Sequence, residues 1–376
     1  MLPRDPAQPH RTASTLELFF DLVFVVAVSI ASAQLHHALI HGDFVHGITS
    51  YAMVFFALWW AWMNFTWFAT SFDTDDWLYR VTTIVQMGGV LAFASGIPAA
   101  FEHGDFTVPV IGYIVMRVAM VAQWLRASRS AGELRSATRR YAFGIAAVQM
   151  LWILFLFIPT GTAQLVAFVV FALIEVGVPV FAEYRHQTPW HPHHITERYG
   201  LFTLIVLGES LLASANAIID ASHELESFVP LISISVLTLA VTASLWWIYF
   251  WPPHHRAITT FRRSLRYGYT HYVVFAAAAA FSAGIEVELD VLTGESHLSN
   301  AVASFTVTIP IAIFLLGVWW IAIRENADRV VNAVVPIGAV VVLLDPILPI
   351  PVAITALVLV AIVVVLVLHP PVDKTS

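Results

Sequence analysis

The sequence predicts an all-α polytopic membrane protein, with about twelve transmembrane helices in two parallel six-helix repeats. Three observations predict it. The chain divides into apolar segments of roughly 20 residues, each long enough to cross a ~30 Å hydrocarbon core. Its 18 Lys and Arg residues keep, with one exception, to alternate connections. Short strings recur at a shift of about 187–188 residues. Apolar residues make up 59% of the chain and charged residues 11%, against about half and a quarter in a soluble domain.

The apolar segments are 16–40, 48–70, 77–101, 106–126, 141–158, 163–184, 197–219, 228–251, 268–288, 299–323, 330–347 and 350–369. Segment 1 opens with Ser14-x-x-Glu17, which fits a capping box at a helix start. Asp21 lies a turn deeper, about 10 Å in at 1.5 Å per residue, where capping does not explain it. Segment 4 contains Arg117 and segment 6 contains Glu175, both near the middle. Segments 5 and 6 are joined by the turn Pro159-Thr160-Gly161-Thr162, and segments 11 and 12 by Asp345-Pro346-Ile347-Leu348-Pro349. Segment 7 begins at Glu197, where a carboxylate suits the helix dipole. Glu209 lies about 18 Å further along, near the bilayer midplane, after Gly208. Glu286 is near the outer end of segment 9. Segments 11 and 12 are short and flanked by proline. The pairs Trp59-Trp60, Trp246-Trp247 and Trp319-Trp320 lie toward segment ends, where tryptophan anchors a helix at the interface.

The organisation follows: a tail over 1–15, a first repeat over 16–184, a His-rich linker over 185–196, a second repeat over 197–369 and a tail over 370–376. The N-terminus and the even connections hold Arg4, Arg11, Arg126, Arg129, Arg135, Arg139, Arg140, Arg185, Arg256, Arg262, Arg263, Arg266, Arg324 and Arg329. Arg80 and Arg198 fall in the first turns that those connections feed, and Lys374 is in the tail. The odd connections hold no Lys or Arg and carry acids instead, namely Asp43, Glu102, Asp105, Asp220, Glu224, Glu226, Glu288, Asp290 and Glu295. Short Lys/Arg-rich loops stay cytoplasmic, so the expectation is an inner (plasma) membrane protein with both termini cytoplasmic. Anionic lipid accounts for the arginine clusters, and no nucleic-acid partner is needed. The chain has no Cys, which excludes disulfides and thiolate metal sites. No cleavable signal peptide is expected, since Glu17 and Asp21 interrupt the first apolar stretch.

For the repeat, Ala57-Leu58-Trp59-Trp60 matches Ser244-Leu245-Trp246-Trp247, and Ala92-Phe93-Ala94-Ser95-Gly96-Ile97 matches Ala280-Phe281-Ser282-Ala283-Gly284-Ile285. The same shift sets Asp21 on Glu209, and Val363 opposite Glu175. Halves with an even number of spans share one orientation, as in many secondary transporters.

Glu17-Leu18-Phe19-Phe20-Asp21-Leu22-Val23-Phe24-Val25 resembles the opening signature of the bacterial low-temperature-requirement A (LtrA) family. Glu197-Arg198-Tyr199-Gly200-Leu201-Phe202, continuing to Gly208-Glu209-Ser210, resembles its second signature. The resemblance covers nearly the whole chain. It implies a polytopic membrane protein linked to growth in the cold, and carries no biochemical activity with it.

A charge inside a span is expensive and marks a functional candidate. Glu209 and Asp21 lead, as the groups binding a coupling proton or sodium ion. Glu17 joins them, and Arg117 with Glu175 forms a gating or substrate-orienting pair. The leading reading is an ion-coupled secondary transporter with no organic cofactor. Its partners are membrane lipid and a small-molecule or ion substrate, and the sequence assigns no oligomeric state. The alternative is an intramembrane metal-dependent enzyme acting on a lipid or isoprenoid. In Trp190-His191-Pro192-His193-His194-x-x-Glu197, the residues His193, His194 and Glu197 would hold a divalent metal; the prolines argue against one continuous helix there. A channel or a scaffold for cold adaptation is the third reading. No Walker A, Rossmann or His-Glu-x-x-His motif occurs, and no loop is long enough for a soluble domain, so ATP-driven pumping in cis is excluded.

Overall fold

A computed structural model describes residues 1–9, 11–221, 229–347 and 352–372. The acidic residues Glu224 and Glu226, and the turn residues Leu348 and Pro349, lie outside the described residues. Every regular element among the described residues is helical. Taking interrupted rods as one, they are α1 Thr15–Ile40, α2 Phe44–Phe72, α3 Trp77–His103, α4 Thr107–Ser128, α5 Arg135–Phe155, α6 Thr162–Glu183, α7 Pro192–Ala221, α8 Val229–Phe250, α9 Phe261–Thr293, α10 Asn300–Asn326, α11 Arg329–Leu344 and α12 Ala353–Leu368. Among the described residues eight helices are long and apolar enough to cross a membrane: α1 to α4, α6, α9, α10, and α11 with the turn that follows it to Ile347. Helix α5 spends its first turns on Arg135, Arg139 and Arg140, and α12 is apolar but only 16 residues long.

Local chemistry sets the ends. The side chains of Asp76, Thr260, Ser299 and Asp328 each accept the backbone N–H three residues on, capping α3, α9, α10 and α11. Gly104 and Gly294 end α3 and α9 at φ of 65° and 86°, a left-handed conformation that glycine adopts without a Cβ clash. Helix α3 is interrupted at Gly96, before Pro98, and α6 at Gly177, before Pro179. Several helices run past their apolar segments on the arginine-bearing side. Helix α7 already begins at Pro192, because a proline in the first helical turn lacks only an N–H that has no intrahelical partner. His193 and His194 therefore sit in that first turn, while Trp190 and His191 lie before it, so no single helix runs through the stretch.

The chain divides into two compact units. One comprises Met1–Ala31 and Thr49–Tyr199; the other comprises Ser32–Ile48 and Gly200–Ser376. In the first, α3 packs along α4, and α5 packs on α4 and α6. A Cβ on Gly112 would lie 2.3 Å from the backbone nitrogen of Phe93, so only glycine permits this approach of α3 and α4. In the second unit α9 packs along α10. Gly284 plays the same part there, since its Cβ would lie 2.4 Å from the Thr306 carbonyl oxygen.

Burial does not follow hydrophobicity. On α1, Glu17, Phe20, Asp21, Phe24 and Val28 are buried, while Phe19, Leu22 and Val26 are about half exposed at 53%, 54% and 45%. A bilayer rewards an outward Leu as readily as an inward one, so polarity and shape decide which face turns inward. Trp59 and Trp60 are buried in the first unit, which corrects their assignment as interfacial anchors. Trp246, Trp247 and Trp320 are about 42–43% exposed, while Trp319 is half-buried and donates to Asn332 Oδ1.

At the Pro252-Pro253 elbow of the second unit, two histidines and two tyrosines close a ring. His254 Nε2 donates to the Tyr249 carbonyl (2.6 Å), and His254 Nδ1 accepts from the Tyr267 hydroxyl (3.0 Å). His271 Nδ1 donates to the Tyr267 carbonyl (2.7 Å), and His271 Nε2 accepts from the Tyr249 hydroxyl (2.9 Å). Every ring nitrogen is used in the neutral form. Burial, and then the neighbouring His255, push His254 down from 6.5 to about 4, against the pull of its bond to the Tyr249 carbonyl. The unfolded chain therefore binds the extra proton first. The ring's contribution is whole above about pH 6.5, shrinks as pH falls, and has lost about 3 kcal/mol once pH is near 4. The unfolding midpoint of the wild-type protein should fall across that window by more than that of His254→Gln, which keeps a donor without an imidazole. Parallel pH profiles would remove His254 as the cause.

Candidate functional site: two charge clusters inside the helices of the first unit

Glu17 fills two roles at once. Its backbone N–H donates to Ser14 Oγ (3.3 Å), and its Oε2 accepts the Ser14 N–H (2.7 Å), completing the capping box. Its Oε1 lies 3.0 Å from Arg198 Nη1 and 3.1 Å from His194 Nε2. One turn on, Asp21 Oδ1 accepts from Trp62 Nε1 (2.6 Å) and from Arg198 Nη2 (2.6 Å). One guanidinium thus bridges the two carboxylates of α1, offering a different nitrogen to each, and its planar fork suits that task. Its Cζ lies 5.9 Å and 5.8 Å from the ring centres of Trp62 and Phe65. Glu17, Asp21, His194 and Arg198 are each no more than 1% exposed.

Two like charges four residues apart on one helix repel, and burying either alone costs several kcal/mol. Arg198 makes the arrangement tenable. Glu17 Oε1 and Arg198 Nη1 meet as an ion pair without hydrogen-bond geometry, and Asp21 Oδ2, His194 Nδ1, Arg198 Nε and the Tyr79 hydroxyl also remain without a hydrogen-bond partner. Buried polar atoms are nearly always satisfied, so such exceptions mark a place for water, an ion or a moving proton.

The N-terminal segment flanks the cluster. Arg11 donates to the Ala69 carbonyl (2.7 Å) and to the Thr70 carbonyl, satisfying the C-terminal end of α2. Burial, with Arg4 second, pushes Arg11 down to about 10, while Glu17 and Asp73 pull the other way, so it stays charged at neutral pH. Asp73 is pushed up by burial and next by Glu17, and it meets Arg4 at 3.3 Å. His191 Nε2 donates to the Gln8 carbonyl (2.8 Å), and its Nδ1 accepts the His194 N–H (3.2 Å).

The second cluster joins Arg117 to Glu175. Glu175 Oε1 accepts from Arg117 Nη2 (3.0 Å) and the Tyr113 hydroxyl (2.8 Å), and Oε2 accepts from Trp152 Nε1 (2.8 Å). Arg117 also reaches Asn64 Oδ1 at 3.4 Å. Both charges are buried. Tyr113 and Trp152 also line a small apolar cavity of about 20 Å³ with Phe93, Phe106, Phe155 and Phe168. That volume admits about one water, too little for an organic substrate.

The structure thus brings Glu17, Asp21 and His194 together, and Arg117 with Glu175. His193 is exposed and Glu197 half-buried. Among the described residues no group of three or more His, Asp or Glu side chains is arranged to hold a metal. Glu209 is in the second unit, half-buried, and within like-charge range of Glu286. Glu286 and Asp290 flank His36 at 3.4 Å and 2.7 Å. Sequence reasoning missed Arg198 as the central cation, because counting charges by connection filed it with the loop arginines. A signal was present: two carboxylates one turn apart in an apolar span demand a cation, and Arg198 adjoins Glu197.

These helices and their enclosed ion pairs fit a multi-pass α-helical membrane protein. Residues 12–368 match the bacterial low temperature requirement A protein (LtrA) family, and the chain belongs to it. It is 28% identical over 259 residues to the uncharacterized protein RA0937 of Rhizobium meliloti (strain 1021). The match takes in 65% of this chain, which spans about 60% of the length of that relative.

Proposed function

We propose that this LtrA-family chain is an ion-coupled secondary transporter of the inner membrane, with the Glu17–Asp21–Arg198–His194 cluster as its coupling site. One observation carries the reading: two carboxylates in a candidate span share one arginine, and polar atoms around them are buried without partners. A purely structural bridge would be expected to satisfy its members. Glu209 is a second carboxylate site in this reading, grouped with Glu286 and His36.

The topology proposed is twelve crossings in two parallel halves, 16–184 and 197–369, with both termini cytoplasmic. Charge sidedness supports it. The tight pairs α3–α4 and α9–α10 hold corresponding places in the two halves, and each contains one of the matched glycines, Gly96 and Gly284. In intact cells an impermeant maleimide should label Thr160→Cys, while Glu133→Cys should react only after permeabilisation. The reverse pattern would overturn the topology.

The transport reading is tested by counterflow of a labelled metabolite pool into proteoliposomes under an imposed ion gradient. Saturable accumulation that collapses with the gradient is expected, and Asp21→Asn should abolish it. Current that follows voltage without saturation would point to a channel instead.

A further inference from the structure

We infer that the coupling ion at this site is a proton, bound and released at Asp21, rather than sodium or a divalent cation; the inference rests on the transport reading above. A metal ion of this kind takes about six oxygen ligands free of competing donors. The oxygens of Glu17 and Asp21 face donors instead: Arg198 at 3.0 and 2.6 Å, His194 Nε2 at 3.1 Å, and Trp62 Nε1 at 2.6 Å. A second cation would have to sit against a permanent guanidinium. A proton needs a single lone pair, and Asp21 Oδ2 offers one that is buried and unpartnered while Oδ1 is held by Trp62 and Arg198.

The charged and titratable groups around Asp21 come from four helices. Glu17 precedes it by one turn on α1. Arg198 and His194 face the cluster from α7, and the donor Trp62 from α2. Tyr79 of α3 interacts electrostatically with both Glu17 and Arg198. Arg11 and Asp73 also interact with Glu17 and offset one another in charge, so with His194 neutral the two carboxylates and Arg198 leave a net charge of −1. Protonation forms one O–H bond at Oδ2 as one O–H bond of a hydronium ion breaks and leaves water, and it withdraws Asp21 from its ion pair. Arg198 is then left with Glu17 as a neutral pair. The loaded site is therefore the uncharged one, and the form better suited to a low-dielectric interior.

The test is infrared difference spectroscopy on the full chain in lipid nanodiscs, titrated from alkaline to acid pH. A protonated-carboxyl C=O band is expected to appear in the wild type, to be lost in Asp21→Asn and to persist in Glu209→Gln. Carbon-13 labelling of aspartate should displace that band in the wild-type protein, so the assignment survives if Asp21→Asn does not fold. Exchanging sodium for choline should leave the midpoint in place. A band that persists in Asp21→Asn and ignores aspartate labelling would overturn the inference. A sodium-dependent midpoint that Asp21→Asn abolishes would also overturn it, in favour of a metal cation. If the band behaves as expected but no solute accumulates in proteoliposomes, the transport reading fails and the proton site stands.

Discussion

Arg198→Leu should cost about 3–5 kcal/mol and most of the folded yield, the usual effect of removing one partner from a buried ion pair. The loss has a specific cause. Glu17 and Asp21 would face one another across one helical turn, both at most 1% exposed, with the Ser14 N–H, His194 and Trp62 as their remaining donors and no permanent cation between them. Arg198→Lys should recover part of the loss. An ammonium is a compact charge and cannot present separate nitrogens to two carboxylates as the guanidinium does. Combining Arg198→Leu with Glu17→Gln and Asp21→Asn should bring stability back to within about 1–2 kcal/mol of wild type, since no buried charge is then left alone. The measurements are membrane yield and the thermal midpoint in detergent. An Arg198→Leu protein with normal yield and midpoint would show that the bridge does not hold α1 to α7.

What could be read from the sequence, and what could not, follows from which forces leave a trace in one dimension. The helical, membrane-crossing character was legible because hydrocarbon thickness imposes a segment length and loop arginines report sidedness. The partnership of Arg117 with Glu175 was legible because an isolated charge at that depth demands a partner, and few candidates exist within the spans. Helix ends were less legible. Helices α5, α7 and α9 begin about five to seven residues before their apolar segments, since polar turns reaching toward water leave hydropathy but keep their backbone bonds. The inward face of α1 was legible only through Glu17 and Asp21. Phe20 turns inward and Phe19 outward, and nothing in their composition separates them. Arg198 illustrates the remaining gap. Its role depends on which helix lies beside α1, a fact of tertiary packing that charge counting cannot recover. Tyr113 and Trp152 were missed for a similar reason: their apolar bodies hid the donors they send to Glu175.

Those two donors set the outcome expected for the second cluster. Arg117→Leu alone should destabilise by about 3–5 kcal/mol, because Glu175 keeps its charge and loses its cation. Removing the charge as well should recover much of this, but how much depends on what replaces Glu175. With Glu175→Leu, the Tyr113 hydroxyl and Trp152 Nε1, now 2.8 Å from the carboxylate oxygens, would be buried without an acceptor. Each stranded donor costs about 1–3 kcal/mol. Glu175→Gln keeps a carbonyl oxygen that one of them can still use. The expected order of stability is therefore wild type, then Arg117→Leu with Glu175→Gln, then Arg117→Leu with Glu175→Leu, and last Arg117→Leu alone. Denaturation midpoints of the four proteins in one detergent give the order directly; with Glu175→Leu alone as a fifth protein the cycle closes, and its coupling energy should be well above the additive expectation for independent sites. Additive losses would mean that the two charges do not stabilise one another. Equal midpoints for the Gln and Leu double variants would mean that Tyr113 and Trp152 find other acceptors, and that Glu175 serves Arg117 alone.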